Sequence, residues 1–316
     1  MSDALAVAIL KTLSYADLFD YALTREEVFR FLIGVRATRS EVDRALDDHS
    51  RLNGSVMRLD EFVTLPARQD LVAVRARWHA AACAQMPCAR AYARILAYVP
   101  FVRMVALTGG LAMENARDND IDLLIVTAPG RLWLVRGLAV ALVRLARLRG
   151  DHLCPNFLLT ENALTIPDEN LYTAHEIVQM IPLYGLTVYS RFRKQNSWTV
   201  DYLPNANEPI HLGAERPLSR VGSLLKLILE RALGGATGDQ LEHWEMQRKI
   251  RKLTNHVPST ADSVTFSADV CRGFFSGHRR RTLLEFDARV NKLLSISDQL
   301  PIFDDHYPSD YATKHP

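Results

Sequence analysis

The sequence predicts an α+β protein built in three parts, and three observations lead to that fold class. Residues 1–66 hold two helix-capping motifs followed by a turn signal between short apolar runs. Residues 101–166 hold apolar runs of strand length separated by glycine turns, the pattern of a small mixed sheet. The chain beyond them shows mainly helical periodicity. We therefore expect a first unit over residues 1–66, a linking helix and sheet core over residues 67–168, and a mostly helical region over residues 169–316.

The first unit is predicted to contain three helices and a β-hairpin. One helical pattern covers residues 4–13, and the next two helices begin at the capping boxes Thr24-x-x-Glu27 and Thr38-x-x-Glu41. Asn53-Gly54 is a hairpin signal, and residues 56–65 are expected to form the two strands. Three helices followed by a hairpin describe a winged helix-turn-helix.

The charge of this unit argues against a DNA-binding role. Residues 1–66 hold eight Lys and Arg residues against eleven Asp and Glu residues, a net charge of −3. The third helix, which would enter the DNA groove, carries four acidic residues against Arg39 and Arg44. Because contacts to phosphate supply most of the affinity for DNA, we expect this unit to be structural or to contact a protein partner.

The remaining elements are predicted from apolar periodicity. A linking helix covers residues 68–97, and the core has strands on either side of Gly109-Gly110. The core continues with a helix over 132–148, a third strand over 153–159 and a short fourth strand over 163–166. The last region is predicted to hold helices over 171–180, 218–233, 240–253 and 282–294. Residues 203–216 are expected to cross the surface, and the tail after Pro301 is expected to be irregular.

A glycine pair and an acidic pair stand between two apolar runs of the core. The first run ends in Thr108-Gly109-Gly110, nine residues follow, and Asp120-Ile121-Asp122 then opens the second run. Because side chains alternate along a strand, two carboxylates two residues apart project from one face. Carboxylate oxygens suit Mg²⁺, and turn glycines let the backbone approach a triphosphate closely. The alternative is an ordinary strand-to-helix turn with two surface aspartates.

This arrangement resembles the nucleotidyltransferase superfamily that includes DNA polymerase beta and the aminoglycoside nucleotidyltransferases. The signature there is an apolar residue, Gly, then Gly or Ser, a spacer, and Asp-x-Asp or Asp-x-Glu. The resemblance implies in-line attack of a nucleophile on the α-phosphorus of a nucleoside triphosphate, with release of pyrophosphate. It assigns Asp120 and Asp122 to two magnesium ions, and Thr108, Gly109 and Gly110 to the triphosphate.

The resemblance also implies a third carboxylate on the next strand, which can act as general base. Asp151 is the only carboxylate of that strand, but it directly follows Gly150 and comes early. Asn156 lies nearer the expected position and is at best a neutral ligand. Both remain candidates for the third site. If Asn156 occupies it, the nucleophile loses its proton another way, with His152 as one base, or the protein binds nucleotide without turnover.

Other polar residues are candidates for the same pocket. Arg117 lies in the spacer ahead of the aspartates, where a cation would meet a phosphate; the alternative is an exposed loop arginine. The runs Cys154–Phe157 and Tyr172–Glu176 resemble those of bacterial proteins that pair a winged helix with a nucleotidyltransferase domain and a helical tail. His175 and Glu176 are expected either to line an acceptor pocket or to pack between helices.

Composition sets the general class of the protein. The 316 residues are 48% hydrophobic and 23% charged, with a net charge of +2, so there is no strong bias toward nucleic acid or membranes. The four cysteines have no spacing typical of a zinc site or a disulfide framework. The most apolar stretch, residues 132–148, contains three arginines, which argues against a membrane span. We expect a cytoplasmic protein with no membrane partner.

Three functional hypotheses follow. The leading one is a magnesium-dependent nucleotidyltransferase that moves a nucleoside monophosphate onto a small molecule or a protein. The second is a catalytically reduced nucleotide-binding or scaffold protein, with Asn156 at the third site and a protein partner on the winged helix. The third is a DNA-binding regulator, which would need a basic face on the helix over residues 38–48.

Overall fold

The computed structural model describes residues 3–48, 52, 54–209, 217–255, 264–272 and 278–297. Helices and two β-sheets make up these residues, so the predicted mixed α and β composition is confirmed. The smaller sheet has three strands and the larger has six.

The N-terminal part of the chain contains three helices and the smaller sheet. Its helices are α1 (Asp3–Asp17), α2 (Arg25–Arg30) and α3 (Arg39–Asp47), and its strands are β1 (Leu23–Thr24), β2 (Met57–Leu59) and β3 (Phe62–Thr64). Both predicted capping boxes form, with each threonine side chain accepting a backbone N–H and each glutamate returning the contact. The two hairpin strands are confirmed, whereas β1, which pairs antiparallel with β3, is too short to leave a pattern. Asn53 of the predicted turn lies outside the described residues.

A long helix, α4 (Asp70–Tyr98), joins this part to the larger sheet, as predicted. The larger sheet consists of β4 (Val102–Leu107), β5 (Asp120–Thr127), β6 (His152–Thr160), β7 (Ile181–Tyr184), β8 (Thr265–Phe266) and β9 (Val270–Arg272). Their order is β7-β4-β5-β6-β9-β8, and β5 and β6 form the parallel pair. Helix α5 (Gly109–Ala112) follows β4, and α6 (Leu132–Arg147) crosses from β5 to β6. The outer strands β7, β8 and β9 come from beyond residue 168.

The short strand predicted over residues 163–166 is wrong. Leu164 and Ile166 are buried, but the side chain of Asn196 takes the place of a neighbouring strand. Its Nδ2 donates to the carbonyl of Leu164 at 2.8 Å, and its Oδ1 accepts from the N–H of Ile166 at 2.8 Å. The apolar alternation therefore reflects burial of a loop whose backbone groups are paired with a side chain.

The C-terminal half is mainly helical. It contains α7 (Leu171–Gln179), α8 (Leu186–Gln195), α9 (Thr199–Tyr202), α10 (Arg220–Ala232), α11 (Ala236–Thr254) and α12 (His278–Ser297). The four predicted helices are confirmed as α7, α10, α11 and α12, while α8 and α9 were not predicted. The predicted surface crossing is described only as far as residue 209, and the predicted irregular tail lies outside the described residues.

The N-terminal helices share a hydrophobic core with the C-terminal half. Leu5, Ile9 and Leu32 belong to the same buried cluster as Ala174 of α7 and Phe286 of α12. Tyr15 near the end of α1 stacks on His175 of α7. Among the described residues, no helix combines the length and the apolar character needed to cross a bilayer.

Candidate functional site

The glycine pair forms a tight turn against Asp122. The N–H of Thr108 donates to the backbone carbonyl of Asp122 at 3.0 Å, which fixes the turn on β5. Gly109 has φ +68°, and a Cβ there would overlap Oδ2 of Asp122. A Cβ on Gly110 would come within 2.7 Å of the carbonyl oxygen of Asn115. Both positions therefore need glycine, the first for its backbone angle and its contact with a carboxylate.

The two aspartates open β5 on one face, as strand alternation predicts. The Asp120 side chain is 41% exposed, whereas Asp122 lies deeper beside the turn. The pKa of Asp122 is raised to about 6, first by burial and then by the negative charges of Asp120 and Asp118. A cation that bound here would relieve this repulsion between carboxylates.

Asn156 is the β6 residue that reaches Asp122. The β5–β6 register shifts between the Leu123–Pro155 and Leu124–Phe157 pairs, so Asn156 is an extra residue in a bulge. Its Nδ2 donates to Oδ1 of Asp122, and this hydrogen bond opposes the rise in the pKa of Asp122. A neutral amide therefore stands beside the buried carboxylate.

Asp151 is held elsewhere. The hydroxyl of Tyr92 on α4 donates to Oδ2 of Asp151 at 2.5 Å, and this hydrogen bond raises the pKa of Tyr92 to about 12. His152 lies on the surface with its Nδ1 3.6 Å from Oδ1 of Asp120. The structure thus brings Asn156, and not Asp151, to Asp122.

A cavity of about 650 Å³ opens in front of the turn. Thr108, Gly109, Gly110, Asp122 and Asn156 all line it, together with Arg117 of the spacer. Asp120 is not among the lining residues. This volume is within the range of pockets that hold drug-sized ligands, roughly 300–1,000 Å³.

Arg117 is placed between the cavity and the N-terminal part of the chain. Its Nη2 lies 3.2 Å from Oδ2 of Asp20, and half of its side chain is exposed. Both predicted roles, phosphate contact and exposed loop arginine, are compatible with this position.

The opposite wall of the cavity is aromatic and comes from the N-terminal helices and α7. Tyr15 and Phe31 contact the ring of His175, and Phe19 contacts Tyr15. The rings of Tyr15 and His175 stack with centroids 4.0 Å apart at an interplanar angle of 16°. Nδ1 of His175 donates to the carbonyl of Leu171 at 3.0 Å, and burial lowers the pKa of His175 to about 4. His175 is therefore a neutral ring at physiological pH.

The same wall carries a second carboxyl group. The pKa of Glu176 is raised to about 7 by burial and by the charge of Asp122, against the lowering effect of Arg272. The charge of Glu176 and burial together raise the pKa of Tyr172, which also lines the cavity. Both residues line the cavity, and His175 also packs on Tyr15 of α1, so both predicted roles are compatible with the structure. Tyr15 was missed because nothing near residue 15 in sequence signals a site more than ninety residues away.

The carboxylates of Asp120 and Asp122 suit a magnesium ion that binds together with a triphosphate better than they suit a metal ion held by protein ligands alone. In the part of the chain that the structure describes, no group of three or more His, Cys, Asp and Glu side chains could hold a metal ion. Mg²⁺, however, commonly takes one or two carboxylates and completes its shell with phosphates and water. Asp120 and Asp122 meet that lower requirement.

No protein-family model matches this chain, and neither a curated protein nor a solved structure does.

Proposed function

We propose that this chain is a magnesium-dependent nucleotidyltransferase, which transfers a nucleoside monophosphate from a nucleoside triphosphate to a small-molecule or protein acceptor. One observation carries the proposal: a turn that requires glycine at two positions faces a strand-borne aspartate at a cavity of about 650 Å³. The backbone of such a turn can bind phosphates, and the nearby carboxylate can bind the metal ion that accompanies a triphosphate. Asp120 and Asp122 would hold magnesium, and Thr108 and the two glycines would contact the phosphates.

We propose that the winged helix-turn-helix predicted over residues 1–66 forms one wall of the acceptor pocket. Helix α1 contributes Tyr15 to the cavity, so the N-terminal part serves the site directly. A role in DNA binding has less support, because Arg25, which could contact phosphate, is paired with Asp43 and Asp47 of α3. We propose that any partner of α3 is a protein.

Glu176 is the group best suited to accept a proton from the acceptor. Asn156 has no basic site, and His175 holds a weakly basic ring with its Nδ1–H already donated. The pKa of Glu176, about 7, lies near physiological pH, where a general base works best. Loss of a carboxylate on β6 is thus compatible with turnover.

Nucleotide binding and turnover test the proposal together. ATP, GTP, CTP and UTP would each be titrated into the chain with magnesium by calorimetry, and pyrophosphate release would be measured in parallel. We expect Asp120→Ala/Asp122→Ala to weaken binding at least about tenfold and to abolish release. Asp151→Asn is the matched control, because the carboxylate of Asp151 accepts a hydrogen bond from Tyr92 and does not line the cavity. Equal binding by the double variant and the wild type would contradict the proposal.

The second candidate is a nucleotide-binding protein without turnover, and the hydrogen bond between Asn156 and Asp122 favours it. This candidate gives magnesium-dependent binding of a triphosphate with no pyrophosphate release. Labelling with α-³²P-nucleotides separates the two, because a transferase leaves label on its acceptor, including on the chain itself where a protein is the acceptor. Binding without label in any fraction would select the second candidate.

A further inference from the structure

A second group of chemically reactive side chains lies on α4, outside the lining of the cavity. Cys83 and His79 are one helical turn apart, and Sγ of Cys83 lies 3.5 Å from Nε2 of His79. Nδ1 of His79 lies 2.9 Å from Oε2 of Glu114, in the segment that follows α5. The three side chains form a continuous thiol–imidazole–carboxylate chain.

The partner of each ring nitrogen assigns the tautomer of His79. A carboxylate only accepts, so Nδ1 carries the proton and donates to Glu114. Nε2 is then the basic atom, and it faces the thiol of Cys83. Glu114 is itself positioned by Arg75, whose Nη2 lies 3.9 Å from Oε2. A nucleophile, a base within reach and a group that orients the base make up the arrangement found at activated nucleophiles.

The other three thiols of the chain are placed differently. Cys83 is exposed, Cys88 and Cys154 are partly covered, and Cys271 is buried. Burial raises the pKa of Cys88 and of Cys271, and it raises the pKa of Cys154 to about 11. Since the thiolate is the nucleophile, these thiols are internal controls for Cys83.

We infer that Cys83 is a thiol-modification site for small disulfides, with His79 as its base and Glu114 as the residue that positions the base. In this step Sγ of Cys83 gives its proton to Nε2 of His79 and attacks one sulfur of the disulfide. The disulfide bond breaks, a mixed disulfide forms on Cys83, and the second sulfur leaves as a thiolate with the bonding electron pair. His79 then returns the proton to this thiolate. The side chain of His79 is 49% exposed, so a small reagent has access.

Site-resolved kinetics on the full chain test this inference. The chain would be exposed to glutathione disulfide at pH 7.5, and adducts at each cysteine would be counted by peptide mass spectrometry. We expect Cys83 to react at least about tenfold faster than Cys88, Cys154 or Cys271. His79→Gln should slow Cys83 about tenfold, whereas His243→Gln, also on an exposed helix face, should leave the rate unchanged.

The positioning role of Glu114 has its own measurement. Glu114→Gln should slow Cys83 less than His79→Gln does, whereas Glu114→Asp, which keeps the carboxylate, should retain most of the wild-type rate. Circular dichroism would check that each variant is folded. The inference is overturned if Cys83 reacts no faster in the folded chain than in guanidinium, or if neither His79→Gln nor Glu114→Gln changes its rate.

Discussion

The substitution Gly109→Ala tests the geometry of the candidate site most directly. The residue has φ +68°, and an alanine in this left-handed region costs about 1–2 kcal/mol. The new Cβ would also overlap Oδ2 of Asp122, so this carboxylate would have to turn away from Asn156. Loss of that charge-assisted hydrogen bond costs about 1.5–3 kcal/mol. We therefore expect Gly109→Ala to lower the free energy of unfolding by about 3 kcal/mol.

Gly130 provides a matched control. It has φ +66°, and a Cβ there would meet nothing within 4 Å. Gly130→Ala should therefore cost only the backbone term, about 1–2 kcal/mol. The difference between the free energies of unfolding of the two variants therefore measures the contact between the turn and Asp122.

Urea unfolding followed by tryptophan fluorescence measures both variants, and a double-mutant cycle with Asp122→Ala sharpens the result. Without the carboxylate, Gly109→Ala should cost no more than Gly130→Ala, which gives a coupling energy of about 1–2 kcal/mol. A coupling energy below about 0.5 kcal/mol would refute the close contact. Gly109→Ala should also abolish binding of the magnesium triphosphate, while Gly130→Ala should retain it.

Three further measurements follow from the titrating groups. The pKa of His175 is about 4 in the folded chain and about 6.5 in the unfolded chain, so the unfolded chain binds more protons between these pH values. The free energy of unfolding should therefore fall as the pH drops through this window. In His175→Phe, urea unfolding should show a smaller fall. Burial lowers the pKa of Lys226 to about 8, so stability should rise between about pH 8 and 10.5, and urea unfolding of Lys226→Met should lack this rise. Tyr92→Phe should lose about 1 kcal/mol with the hydrogen bond to Asp151, and calorimetry should show unchanged triphosphate binding.

The parts of the site that could be predicted are those encoded by neighbouring residues. The glycine pair directly follows β4, and nine residues later the two aspartates open the adjacent strand β5, so their proximity follows from a single connection. The capping boxes are equally local, and both form. Strands β7 to β9 were missed because each has four residues or fewer, too short for alternation to be read.

The parts that could not be predicted depend on register and on distant packing. One residue of slip on a strand exchanges the two faces. The register pairs Asp120 with His152, so Asp151 precedes the paired part of β6, and Asn156 in the bulge is the residue that contacts Asp122. The stack of Tyr15 on His175 joins residues 160 positions apart, and no local pattern marks either as a neighbour of the other. The aromatic wall of the cavity is therefore a product of the tertiary fold.

The neutral residue at position 156 and the carboxyl group of Glu176 are best understood together. The charges of Asp120 and Asp118 already raise the pKa of Asp122, and the charge of Asp122 raises the pKa of Glu176 in turn. A carboxylate at position 156 would add a further negative charge in contact with Asp122, whereas the Asn156 amide donates to it. The carboxyl group that could take up a proton then lies across the cavity on α7, on the side of the aromatic wall. If the proposed function is correct, Asn156 of β6 would stabilise the carboxylate that binds magnesium and Glu176 of α7 would take the proton from the acceptor, so two elements would share the functions of a third carboxylate.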